Sequence, residues 1–115
     1  MIPPFVTIGS ITAISCTGLA ADEARLKAYG QHLSQQCTTC HRLDGVRVGA
    51  IPAIVGWPAD QFVAVLRSYK SGERRNPVMI SVTEPLGEEE MNALAVHFGA
   101  LPKPPQPAGK SAKSK

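Results

Sequence analysis

Apolar residues recur at helical spacing in three stretches of this chain, and no sustained alternation of apolar and polar positions predicts a sheet. From about Asp22 to Gln36, the residues Leu26, Tyr29, Gly30 and Leu33 fall at i, i+3, i+4 and i+7 and share one helical face. From about Pro58 to Ser71, Pro58 suits a first helical turn, Phe62, Val63 and Leu66 form the apolar face, and Gly72 is the stop. From about Glu88 to Leu101, three consecutive acids suit the positive end of a helix dipole. Met91, Leu94, Ala95 and Phe98 repeat the same spacing, and Pro102 ends the run. Each stripe reads as a core face, so the pattern predicts an all-α domain of three main helices.

The segments between them, Arg42 to Trp57 and Glu73 to Gly87, are long for so small a domain and need something to pack against. With 115 residues in all and only 5% aromatic side chains, the chain is short of material for a core. A bound prosthetic group supplying flat apolar bulk would remedy both shortages.

The two ends differ from the middle. Residues 1–20, MIPPFVTIGSITAISCTGLA, carry no charged side chain and finish with Gly18 and Ala20 at the positions a signal peptidase reads before a cut ahead of Ala21. They are expected to be an export signal, although no Lys or Arg stands near the start and Pro3 and Pro4 are poor helix formers; the alternative is a retained membrane anchor. Cys16 lies inside this segment, in a setting that resembles a lipidation site except that Ala13 stands where a larger aliphatic is usual. At the other end, residues 102–115 combine four prolines and four lysines with no acid, which predicts a disordered basic tail. The domain expected to fold is therefore residues 21–101.

The net charge of +3 belongs to that tail, because residues 21–101 hold eight Lys or Arg against nine Asp or Glu. A nearly neutral domain without a basic stripe and interleaved aromatics excludes a nucleic-acid partner.

The chemistry concentrates in CTTCH, Cys37 to His41. Two thiols and an imidazole in five residues suit a covalent haem, half of a zinc site or a redox dithiol. A structural zinc site needs four ligands, and after Cys40 the chain offers no cysteine and only His41 and His97 as histidines. A thioredoxin-like dithiol would follow a strand in a βαβ pattern, and none is present. Cys-x-x-Cys-His is the attachment signature of c-type haem: thiols three apart at a helix end reach two vinyl groups, and the next residue turns its imidazole to the iron. Cys37 and Cys40 are expected to form the thioethers of one covalent haem c, with His41 as the proximal ligand.

For the second axial position Met79, in NPVM, is expected in a loop between the second and third helices, where it can approach the opposite haem face. Met91 lies on an apolar stripe and reads as core, while His97 and His32 read as surface or packing residues. A backbone carbonyl near Pro52 is placed to accept the hydrogen bond from the second nitrogen of His41. Tyr69, Arg74 and Arg75 stand just before the Met79 segment, where their donors could hold haem propionates; a solvated surface charge is the alternative for each arginine.

These residues resemble the small class I cytochromes c over roughly residues 24–101. The likeness rests on CTTCH, the Gly and Pro of VGAIPAIVG, the apolar stripe of the second helix, NPVM, and LAVHF in the last helix. The resemblance implies the class I cytochrome c fold, wrapped around one haem, with Gly30 and Phe98 marking where the first and last helices cross. The run QFVAVLRSYKSGERRNPVM is similar to the cytochrome subunit of flavocytochrome c sulfide dehydrogenase, and YKSGER also occurs in other small cytochromes of the class.

The narrower likeness implies a periplasmic electron-transfer subunit with no catalytic site of its own. It would be paired as a heterodimer with an FAD-bearing sulfide dehydrogenase subunit and would pass electrons to a downstream acceptor. No stable membrane insertion is expected once the signal is removed. The alternatives are a free periplasmic shuttle, steered by the tail lysines, and a gas-binding haem sensor.

Overall fold

The computed structural model describes residues 17–105, together with Pro4 and Gly9; Cys16, most of the expected export signal and the tail from residue 106 lie outside the described residues. Four helices follow in order: α1 (Thr17–Cys37), α2 (Ala59–Lys70), α3 (Pro77–Thr83) and α4 (Glu88–Gly99). Among the described residues the only β pairing is an isolated bridge between Val48 and Ile51. The all-α expectation and the placing of α2 and α4 agree with this architecture to within a residue or two at each end.

Helix α1 begins at Thr17, five residues before the expected start, and runs unbroken through the junction expected after Ala20. Its first turns, from Gly18 to Arg25, are exposed throughout. No helix among the described residues is long and apolar enough to cross a membrane.

The α1–α4 crossing is made by backbone rather than by large side chains. A methyl group built on Gly30 would lie 2.0 Å from the carbonyl oxygen of Ala93 and 2.9 Å from Cβ of His97. Only glycine allows this approach. The atoms nearest to that methyl group belong to Ala93 and His97, the residue just before Phe98 on α4. Tyr29, expected on the buried stripe, is 36% exposed, because with the helices this close it extends along α4 and its hydroxyl donates to Glu90 Oε1 at 3.3 Å.

The core is built from α2, α4 and the segments beside them: Val55, Phe62, Leu66, Leu86, Met91, Leu94 and Phe98 are all buried. Phe62 stacks on Phe98 with ring centroids 5.7 Å apart. Met91, 2% exposed, is a core residue as its stripe predicts. Helix α4 starts cleanly because Glu90 Oε2 accepts the Gly87 N–H at 3.0 Å, satisfying one orphan donor of the first turn.

The segment between α1 and α2 has little regular structure and is pinned to α4 and to the chain that follows it. Gly56 donates its N–H to the Phe98 carbonyl at 2.8 Å and sits at φ +70°, a conformation that favours glycine. A methyl group there would lie 2.5 Å from Cγ of Lys103, and one on Gly45 would lie 2.3 Å from Cδ of Pro104. Lys103 and Pro104, the start of the expected disordered tail, therefore lie against this segment, because two glycines leave room for them.

Candidate functional site

The CTTCH motif closes α1. Cys37 is the last helical residue, and its carbonyl accepts the N–H of Cys40 at 3.2 Å and of His41 at 2.9 Å. Both threonines serve the helix end, since the hydroxyls of Thr38 and Thr39 donate to the Gln35 carbonyl at 3.0 and 3.5 Å. Carbonyls that a helix C-terminus leaves unpaired thereby find donors within the motif. The chain turns tightly enough to bring Cys37, Cys40 and His41 to one side.

His41 is buried, and its Nδ1 lies 2.8 Å from the Pro52 carbonyl oxygen. A carbonyl can only accept, so Nδ1 is the nitrogen that donates, and the tautomer this selects is the one that leaves the Nε2 lone pair free. This is the contact expected from the sequence near Pro52. Cys37 is half-buried, and burial pushes its thiol pKa above the ordinary value, which keeps it protonated; Cys40 is exposed.

These groups open onto a cavity of about 380 Å³, in the size range of small-molecule and cofactor sites. Met79 lines the same cavity from α3, and α1 and α3 make no direct contact. The cavity thus separates the element that ends in CTTCH from the element that carries the thioether. Trp57, Phe62, Leu66 and Leu94 contribute apolar walls, while Tyr69 and Arg74 supply donors on the lining. The Arg74 guanidinium stands over the Tyr69 ring, 5.8 Å from its centroid. Cys37, Cys40, His41, Pro52, Tyr69, Arg74 and Met79 all line this space; Arg75 is exposed and does not. His97 is half-buried in an edge contact with Phe98, and His32 is exposed, so neither competes for the cavity.

Met79 sits in the first turn of α3 and not in the loop that the sequence predicts. Asn76 caps this helix, its Oδ1 accepting the Met79 N–H at 3.1 Å, and Pro77 occupies the first helical position, where no N–H is needed. The dipeptide Asn76-Pro77 is itself a helix-start signal, and it could have revealed α3. Asn76, Val78 and Trp57 also line the cavity without having been expected there. Asn76 is legible as a cap, whereas Val78 and Trp57 carry no chemical signal of their own.

Two thiols, an imidazole with a free Nε2 lone pair and a thioether around one apolar cavity fit the donor chemistry and bulk of a haem c. Helices packed around such a cavity define a class I cytochrome c. No protein-family model matches the chain. It is 31% identical over 99 residues to the cytochrome subunit of sulfide dehydrogenase of Chlorobaculum tepidum, covering 84% of this chain and 90% of that one. The chain belongs to the small c-type cytochromes, an electron-transfer haem family. It is also 32% identical over 95 residues, 79% of its length, to a thiosulfate dehydrogenase electron acceptor of Stutzerimonas stutzeri, but spans only 44% of that relative's length. Cytochrome c-553 of Desulfomicrobium norvegicum is 31% identical over 74 residues, 62% of this chain and 92% of the relative.

Proposed function

We propose that the chain is the electron-accepting haem subunit of a dehydrogenase that oxidises a reduced sulfur compound, with sulfide the first candidate. The observation that carries the reading is the convergence of Cys37, Cys40, His41 and Met79 on one apolar cavity. Similarity to the cytochrome subunit of sulfide dehydrogenase over nearly its whole length supports the choice of partner, and the similarity to thiosulfate dehydrogenase electron acceptors supports sulfur oxidation more broadly.

In this reading Cys37 and Cys40 would hold one haem covalently, and His41 and Met79 would ligate its iron. The bound haem supplies a one-electron couple at iron. The protein does the rest. The Pro52 carbonyl holds the Nδ1 proton of His41, which fixes the ring and raises the donor strength of Nε2. The apolar walls exclude water, and in a water-poor site the charge on the group is felt more strongly. Tyr69 and Arg74, on the lining, would offer hydrogen-bond donors to acidic groups of the cofactor. Arg75, outside the lining, is a solvated charge in this reading.

Substrate oxidation belongs to the partner, an FAD-bearing subunit joined to this chain as a heterodimer. Export to the periplasm fits both residues 1–20 and the compartment in which c-type haem is attached. Native purification tests the pairing. Haem and flavin absorbance eluting together, in a complex larger than this chain, is expected. Haem alone at the monomer mass would contradict the flavoprotein complex and favour a free shuttle.

A further inference from the structure

Thr83 has no exposed surface at all, the extreme case among the buried polar side chains. Its hydroxyl oxygen lies 2.9 Å from the Met79 carbonyl oxygen and 3.2 Å from that of Ile80. One turn earlier, Asn76 Oδ1 accepts the Met79 N–H at 3.1 Å. The peptide N–H and the peptide C=O of the same residue are thus each engaged by a side chain, one from each end of α3.

A hydroxyl at zero exposure adds nothing to apolar burial. Valine has the same shape without the cost of removing a polar group from water, so the value of threonine here is directional. The direction counts because α3 has only seven residues, too few to be stable on its own. Residues 71–78 are exposed throughout, with Val78 64% exposed, whereas Thr83 and Leu86 are buried. Met79 stands at the border between the exposed and the enclosed parts. Fraying that entered from the exposed side would carry its thioether out of the cavity.

We infer that Asn76 and Thr83 are positioning residues for Met79: together they hold the peptide units on either side of its Cα, keep the thioether in the cavity, and set how readily an outside ligand can take its place. This rests on the proposed ligation of iron by Met79. A neutral thioether is a weak donor held by geometry rather than charge, so its occupancy depends on how firmly its backbone is kept in place.

The test is an imidazole titration of the ferric holoprotein, followed through the far-red sulfur-to-iron charge-transfer band and by direct measurement of the reduction potential. Thr83→Val is expected to start with the band present and to bind imidazole about threefold to tenfold more tightly than the wild type, the effect of one modest hydrogen bond. Thr83→Ser, which keeps the hydroxyl, should return to the wild-type titration. Asn76→Ala should shift in the same direction as Thr83→Val, and Asn76→Asp, which keeps the acceptor, should restore it. Wild-type titrations for both Thr83→Val and Asn76→Ala would overturn the clamp while leaving the ligand in place. Met79→Ala with the band and potential unchanged would overturn the ligand assignment, and the clamp with it.

Discussion

The two walls of the cavity hold their chemistry by different means. On the histidine side the backbone is irregular from Arg42 to Trp57, and His41 is oriented by one bond from its ring to the Pro52 carbonyl. The segment carrying that carbonyl is fixed from outside, through the Gly56 bond to Phe98 and the packing of Lys103 and Pro104 on Gly56 and Gly45. On the methionine side the backbone is a short regular helix, and Met79 is held by a cap before it and a hydroxyl after it. One wall depends on tertiary contacts with distant chain, the other on local helix chemistry. Damage to the first should therefore spread to the fold, and damage to the second should stay near the site.

The contrast is sharpest in deletions of the two proposed ligands. His41→Ala is expected to abolish the normal spectrum of the holoprotein and to leave the Pro52 carbonyl without its donor. Met79→Ala should retain the haem with a lowered reduction potential, because methionine opposite histidine is the pairing that raises it. Optical spectra and potentiometry separate the two results; equal loss of haem in both variants would break the distinction between the walls. A smaller effect should follow at Gly56, where valine would have to adopt φ +70° and press on Lys103. The strain costs about 1–3 kcal/mol. It should be read in the denaturation midpoint of Gly56→Val, and an unchanged midpoint would show that this segment is not held as described.

The smallest effect concerns His97, on α4 away from the cavity. Burial, reinforced by the nearby Lys27 charge, lowers its pKa from the ordinary 6.5. The unfolded chain then binds the proton more readily than the folded one. Stability from the neutral ring is present above about pH 6.5 and is lost as the pH falls through the lower folded value. Between about pH 7 and pH 5 the wild type should lose more thermal stability than His97→Gln, by a modest amount because the ring is only half-buried. Identical pH profiles would remove His97 from the account.

Much of the histidine wall was legible because CTTCH concentrates its chemistry in adjacent residues, and because Pro52 lies close enough in sequence to serve His41. The family likeness also indicates the α1–α4 crossing, but not that Ala93 and His97 supply the atoms nearest to Gly30. A helix pair in backbone contact leaves no apolar pattern to read, and the same closeness moved Tyr29 out of the core towards Glu90. Helix α3 reads as a loop in the sequence because seven residues are too few to show a period; only Asn76 and Pro77 signal it, through capping rather than hydropathy. Composition places Lys103 and Pro104 in a tail, because it does not register that Gly45 and Gly56 leave space for them.

The most direct measurement is the intact mass of the denatured chain, purified from a host that attaches c-type haem, beside a Cys37→Ala/Cys40→Ala variant. One haem retained on the wild-type chain after denaturation, and none on the variant, is the expected result. A wild-type chain that sheds its haem on denaturation, or that carries two, would contradict a single covalent site built from Cys37, Cys40 and His41.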